Sequence, residues 1–397
     1  MQHRIASTTL LCLLALPVLA DSFSWGSRET DFEPAFDAQF RAPVEDSDIE
    51  LATLTLAEGL THPWGIATLP DEGGFLVTER SGSLRHLALD GALSDPLDGV
   101  PEVVAERQGG LLDVAIGPDF ANDRRVYLTY AKPLDDGMSA TAAARGTLSE
   151  DLAQIENVEE IFVQEPPSPN PMHFGSRIVF DEQGHAFITT GEHSSMRERE
   201  FAQDLDKSYG KVVRLELDGS VPDDNPYLED DDALDVIWST GHRNIQGAAM
   251  DADDTLWIIE HGPRGGDELN RPEPGKNYGW PVISYGRQYS GPPIGSGEAQ
   301  AEGYEQPVYF WDPVIAPGGM MFHRGESFAD WNGDLLIGGL VSGSVVRLAL
   351  DEEGKVTGEE RLLGGIGRVR DVEVLDDGTF LVLIDSPNGS VVHVTPE

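Results

Sequence analysis

Asp376-Asp-Gly-Thr-Phe-Leu-Val-Leu-Ile384 is the stretch whose reading decides the fold. Its Asp-Gly turn launches an apolar run, and Gly389-Ser390 opens a second one at Val391-Val-His-Val394. A strand, a turn and a returning strand is the structure such a pattern specifies. The same signature stands at Asp71-Glu-Gly-Gly-Phe-Leu-Val-Thr78, at Pro118-Asp119 leading to Arg125-Val-Tyr-Leu-Thr-Tyr130, and at Asp181-Glu-Gln-Gly-His-Ala-Phe-Ile-Thr-Thr190. It returns at Asp251-Ala-Asp-Asp-Thr-Leu-Trp-Ile-Ile259 and Trp331-Asn-Gly-Asp-Leu-Leu-Ile-Gly338. Gly82-Ser83 and Gly343-Ser344 again open second strands. Repeated hairpins at blade-sized or longer intervals predict an all-β chain folded as a β-propeller. A β-sandwich with coincidental turns is the alternative, but sandwiches rarely need so many similar hairpins. Residues 147–155 and 201–205 are expected as short helical pieces in loops.

Composition supports a folded, turn-rich protein. Of 397 residues, 40% are hydrophobic and 24% charged, with 44 Gly and 26 Pro. Residues 1–20 read as a signal peptide: His3 and Arg4, an apolar run over 10–19, and Val18-Leu19-Ala20 as the cleavage site before Asp21. The apolar run is short for a membrane span. The single cysteine, Cys12, lies inside it, so the mature chain is expected to have neither disulfides nor thiolate chemistry. Residues 21–48 show no period and are expected to be a flexible N-terminal segment, with the propeller domain occupying 49–397.

The net charge of −43 excludes nucleic acid and anionic membranes as natural partners. It also implies self-repulsion that concentrated salt relieves, hence a secreted or periplasmic, halophilic protein.

The run from Glu260 to Trp280 (EHGPRGGDELNRPEPGKNYGW) follows an apolar strand and breaks into Gly-Pro and Gly-Gly turns. Glu260, His261, Asp267 and Glu268 stand there beside glycine pairs that expose main-chain carbonyls. Such an oxygen-rich set suits a hard cation such as calcium. An acidic surface turn is the plainer reading.

Four further loops end strand signals where a propeller opens its channel. Gln108, ahead of Gly109-Gly-Leu-Leu-Asp113, offers an amide in what is otherwise a glycine turn. His173 precedes a strand at 178–180, and Glu192 follows one at 186–190. Neighbouring strands of one blade would join imidazole and carboxylate, fixing the tautomer and raising the basicity a general base needs. A plain surface histidine is the alternative. Arg243 and Asn244 offer a planar fork and an amide, suited to a carboxylate or quinone oxygen, or to one of the many acids. Arg368 and Arg370 alternate on a strand and share a face. Two like charges there call for a polycarboxylate ligand or an acidic channel lining.

From about Leu51 onward these motifs resemble, in order, the soluble pyrroloquinoline-quinone-dependent aldose sugar dehydrogenases of the glucose/sorbosone dehydrogenase family. The residues that carry the resemblance are Thr61-His-Pro-Trp-Gly65, Gln108-Gly-Gly-Leu-Leu-Asp113, His173-Phe-Gly-Ser-Arg177, Ala202-Gln-Asp-Leu-Asp206 and Gly241-His-Arg-Asn244. Glu260-His-Gly-Pro-Arg-Gly-Gly-Asp-Glu268, Asn277-Tyr-Gly-Trp-Pro281 and Arg368-Val-Arg-Asp371 complete the set.

The resemblance implies a six-bladed propeller holding pyrroloquinoline quinone (PQQ) and calcium at one channel mouth. It implies His173 as the base on an aldose anomeric hydroxyl, Glu192 as its orienting partner, and Arg243 as the group polarising the quinone. Gln108, Asn244, Arg368 and Arg370 would hold the cofactor, and the carbonyls of Gly262 and Pro263 the calcium beside it. Glu268 and Tyr278 match a second, structural calcium site. Electrons would leave to an external acceptor, from a monomer or homodimer not inserted in a membrane. Two departures stand out: Leu340-Val341 replaces the family's cofactor-pairing lysine, and Ile245 replaces a proline. A calcium-stabilised propeller that only binds a glycan or protein, and a calcium-dependent sugar lactonase, are the competing functions.

Overall fold

The computed structural model describes residues 23–71 and 73–397; the expected signal peptide lies outside the described residues. Six antiparallel sheets form the six blades of a β-propeller. Blade one has three strands, Pro63–Thr68, Phe75–Glu79 and Ser83–Leu87. Blade two is built from Leu111–Ile116, Arg125–Pro133, Ser139–Leu148 and Ile155–Val163. Blade three comprises Gly175–Phe180, His185–Thr190, Lys211–Glu216 and Ile237–Thr240. Blade four holds Ile245–Met250, Leu256–Glu260, Asp267–Asn270 and Tyr309–Trp311. Blade five runs Pro317–Phe322, Leu335–Gly339, Ser344–Leu350 and Val356–Leu362.

Blade six takes Val369–Val374, Phe380–Ile384 and Gly389–Pro396 from the C-terminal end and Leu51–Leu60 from the N-terminal end. Leu51 lies opposite Pro396 and Leu60 opposite Gly389, so pairing between the two ends of the domain closes the ring. Apolar clusters between neighbouring blades hold the disc together. Trp257, Trp311, Ile337 and Val346 join blades four and five, and Leu336, Val345, Val372 and Phe380 join five and six.

The first strand of each blade lines the central channel, and these six touch one another in cyclic order. Each first strand slips register against the second strand of its own blade near the same end, as at Pro63/Ile66, Leu111/Val114 and Val369/Asp371. Bulges of this kind re-aim side chains at a sheet rim. Left-handed backbone at His62 (φ 49°), His173 (φ 48°) and Ala316 (φ 51°) adds a further turn just outside three of these strands. Six loops are thereby pointed over one channel mouth.

Below that mouth the channel is crossed by a buried ion cluster. Arg177 donates to Asp113 Oδ1 (2.8 Å) and Asp371 Oδ2 (3.1 Å), and its guanidinium lies 4.2 Å from the centre of the Trp64 ring. Gly319 is required here, since a Cβ would strike both Asp371 and Arg177. Beyond the cluster the opposite end widens into a cavity of about 1660 Å³ lined by Ile116, Phe180, Met250, Phe322 and Glu373.

One of the two expected helical pieces is corrected. Residues 147–155 are not helical: they join the third and fourth strands of blade two, with turns at 149–153. Residues 201–205 fall partly in a 3₁₀ turn, Glu198–Gln203. The segment expected to be flexible is, over 23–48, a strap packed on blades four and five. Phe40 pairs with Phe310 as a β-bridge and stacks on it at 4.6 Å, and Val44 bridges Glu359. Gln39, fully buried, donates to Pro307 O at 2.8 Å. The strap's aromatic and amide side chains are spaced too irregularly to register as a strand pattern.

Candidate active site at the channel mouth

His173 and Glu192 leave adjacent strands of blade three, and the structure joins them. His173 is 5% exposed and Glu192 1%, and Nδ1 of the histidine donates to Glu192 Oε1 at 3.1 Å. An ionised carboxylate only accepts, so the proton sits on Nδ1 and Nε2 is left as the basic atom. Burial lowers the His173 pKa below the ordinary 6.5; Glu192 opposes the shift and nearby Arg243 adds to it. Glu192 is itself held below the usual carboxylate range: burial works against this, but His173, Arg243 and the Ser194 amide prevail. The imidazole is thus neutral and oriented at neutral pH, the state a general base requires.

The surrounding groups hold this pair from several blades. Gln108 accepts the His173 amide proton through Oε1 at 2.8 Å, fixing the left-handed backbone of the histidine. Asn244 Oδ1 accepts from Gly175 N at 3.1 Å, and the Glu192 amide donates to Arg243 O at 3.1 Å. Arg243 donates to His261 O at 2.9 Å and lies 5.2 Å from the Trp280 ring centre, yet its Nε is buried with no protein partner. Glu260 faces inward, accepting from His242 Nδ1 (2.9 Å) and the Arg243 amide (2.5 Å).

Arg368 and Arg370 converge, as their alternation predicts, but on an acid. Arg368 Nε donates to Asp385 Oδ2 at 3.3 Å, and Arg370 NH2 is 3.8 Å from the same oxygen. Arg370 also donates to Gln246 Oε1 at 3.0 Å, and its Nε is buried without a partner. Val341, where the lysine is missing, is 64% exposed and supplies no charge.

The acidic loop divides into separate tasks. Asp267 turns inward: Oδ1 accepts from Gly262 N, and Oδ2 from the Ile315 and Ala316 amides, each at 2.8 Å. Among the described residues no hydrogen bond reaches the carbonyls of Gly262 or Pro263. Glu268 stands directly across the ladder from Glu260. Burial, and then the Glu260 charge, pushes the Glu268 carboxyl well above its ordinary range. Gly262, Pro263, Glu268 and Tyr278 line one small cavity of about 10 Å³, room for a single water-sized body. The Tyr278 hydroxyl donates to Arg271 O at 2.5 Å and accepts from Glu273 N at 3.0 Å. A cation there would therefore meet the Glu268 carboxylate and the Tyr278 main chain. Among the described residues no group of three or more His, Cys, Asp or Glu stands together, so a cation here would take main-chain oxygens besides the Glu268 carboxylate.

Three groups were missed by reading the sequence. Gln246 joins Arg370 to Gly175 O (3.2 Å), the Arg177 cluster underlies the mouth, and His62 donates from Nδ1 to Asp385 Oδ1 at 2.8 Å. His62, Asp113, Arg177 and Asp371 all sit inside the motifs quoted above, which was the available signal.

The chain is similar to known proteins over most of its length. The family model described as Glucose / Sorbosone dehydrogenase matches residues 60–393. The chain is 46% identical over 345 residues to "Aldose sugar dehydrogenase YliI" of Escherichia coli (strain K12), covering 86% of this chain and 92% of that one. A crystal structure of the soluble aldose sugar dehydrogenase from Escherichia coli in the apo-form superposes with a TM-score of 0.84 at 44% identity, covering 87% of this chain and all of that one. The PQQ-bound aldose sugar dehydrogenase of Streptomyces coelicolor matches with a TM-score of 0.72 at 26% identity, over 89% of this chain and all of that one. With the fold, the ordered motifs and these matches in agreement, the chain belongs to the Glucose / Sorbosone dehydrogenase family.

Proposed function

We propose that this chain is an exported quinoprotein that oxidises aldose sugars at the anomeric carbon to aldonolactones. The buried His173–Glu192 pair beside Arg243 at the channel mouth carries this reading. The Escherichia coli relative's name and the PQQ-bound Streptomyces coelicolor structure support it.

The residues present fit a planar, polyanionic cofactor. Arg243 Nε and Arg370 Nε are buried donors without protein partners, which an oxygen-rich ligand would satisfy. Arg243, Asn244, Arg368 and Arg370 would hold the quinone, with Gln108 bordering it. The free carbonyls of Gly262 and Pro263 suit a calcium ion next to it, and Glu268 with Tyr278 suits a second. When bound, PQQ supplies the two-electron acceptor for the hydride that leaves the anomeric carbon.

The chain's own work is proton chemistry and placement. His173 Nε2 takes the proton of the anomeric hydroxyl as that carbon becomes a carbonyl. Glu192 stabilises the resulting imidazolium and keeps the ring from turning. Arg243 presents positive charge where negative charge develops, inside a pocket walled by Trp280. The reduced enzyme then passes its electrons to an external acceptor.

Reconstitution with calcium and PQQ, followed by dye reduction with glucose and other aldoses, tests the proposal. Sugar-dependent reduction is the expected result. Full cofactor loading with no reduction would overturn it and leave a binding propeller or a lactonase.

A further inference from the structure

The family match begins at residue 60, and the strap of residues 23–48 lies wholly outside it. We infer that this strap is a brace for the Gly262–Gly266 loop, with Glu29 as its positioning residue. The inference rests on the proposed role of that loop in presenting main-chain oxygens to a cation.

Arg264 and Arg287 sit side by side, because their main chains exchange hydrogen bonds in both directions (3.0 and 3.1 Å). Two guanidinium groups on one short ladder repel each other. Glu29 lies between them: its Oε2 is 2.7 Å from Arg264 Nε and 3.0 Å from Arg287 NH2. One carboxylate oxygen thus ties the strap to both sides of the loop. The next residue makes a second attachment. Glu29 N and Thr30 N donate to the Asp312 carboxylate at 2.8 and 2.9 Å, and Thr30 Oγ1 reaches both Asp312 and Tyr285 O. Asp312 in turn backs onto the loop, since a Cβ on Gly265 would meet its Oδ1 at 3.0 Å. Gly266 donates to Trp311 O at 2.8 Å, one residue away.

The loop is therefore closed between blade four and the strap. On its inner side Asp267 fixes the Gly262 amide; on its outer side the Arg287 main chain holds the Arg264 backbone and Glu29 of the strap holds the Arg264 side chain. Gly262 and Pro263 lie between these two fastenings. The far end of the strap is anchored independently, by Glu45 on Arg347 (2.8 Å) and by Ser47 on Glu360 (2.8 Å). Loss of Glu29 frees the loop end without releasing the strap.

The test uses the full mature chain carrying Glu29→Gln, with Glu45→Gln as the control at the far anchor. Amide hydrogen exchange is followed over the peptide spanning 262–266, and calcium affinity of the apoprotein is measured by titration. Exchange in that peptide should rise about three-fold and calcium affinity fall by a similar factor in Glu29→Gln, in line with two partly exposed ion pairs. Glu45→Gln should leave both readings unchanged. The swap Glu29→Arg with Arg264→Glu restores a bridging carboxylate and should recover both values. Unchanged exchange over 262–266 in Glu29→Gln, or an equal change in Glu45→Gln, would overturn the brace. If the wild-type chain binds no calcium, the functional reading of the loop fails, while the exchange measurement still decides the brace.

Discussion

At the residue scale, the site turns on one imidazole whose environment sets its chemistry. His173→Ala should retain the cofactor yet lose about 10²–10⁴-fold in turnover, the usual cost of removing a general base; stopped-flow dye reduction with the reconstituted variant checks this. The pH profile follows from the lowered His173 pKa. The neutral base predominates above that pKa, so kcat/KM should stay flat through neutrality and fall only below pH 6.5, the ordinary imidazole value. Glu192→Gln removes the one influence that raises the pKa, so the acid limb should move to still lower pH while turnover drops. A limb at or above the ordinary imidazole value would contradict the assignment. His173 and Glu192 were legible because a two-strand hairpin brings residues nineteen apart in sequence to the same rim. Gln246 was not, because it reaches Arg370 from blade four to blade six, and nothing local in the chain encodes which side chains meet across the channel.

At the element scale, the strands announced themselves and the strap did not. Asp-Gly turns followed by β-branched runs mark hairpins through local rules, and all six inner hairpins appear where that pattern stands. Residues 147–155 misled because their polar positions face solvent from a hairpin end. The strand from Asp267 to Asn270 carries a prediction of its own. It places Glu268 opposite Glu260, an arrangement a bound cation would relieve. Chelation by EDTA should therefore lower the melting temperature, measured by calorimetry. Glu268→Gln should raise the melting temperature of the metal-free protein and blunt its response to EDTA, since the neutral amide needs no cation. The inner strands supply a second case. Arg177→Met leaves Asp113 and Asp371 buried without their counter-charge, at a cost of about 3–5 kcal/mol in denaturant unfolding. Asp113 is already pushed up to about 6, chiefly by burial. A carboxyl with a raised folded pKa loses stability as pH rises, so the variant should suffer more at pH 8 than at pH 5.

At the scale of the whole molecule, charge and topology dominate. A net charge of −43 on this chain disperses over the disc as acidic turns, while many of its arginines are committed to ion pairs at the mouth, the channel and the strap. The melting temperature should climb between low and molar salt as repulsion is screened; a flat series would rule out the salt-adapted reading. Ring closure has its own consequence for how the protein is made. The strand Leu51–Leu60 waits for Gly389–Pro396, the last strand of the chain, before its backbone groups are paired on that edge. Contacts of such high sequence separation form late and slowly. Blades one to five can assemble as the chain emerges, but the disc stays an open arc until Gly389–Pro396 has been made. Closure at the seam is thus a check on one segment: only a chain that carries Gly389–Pro396 acquires a channel with walls on every side.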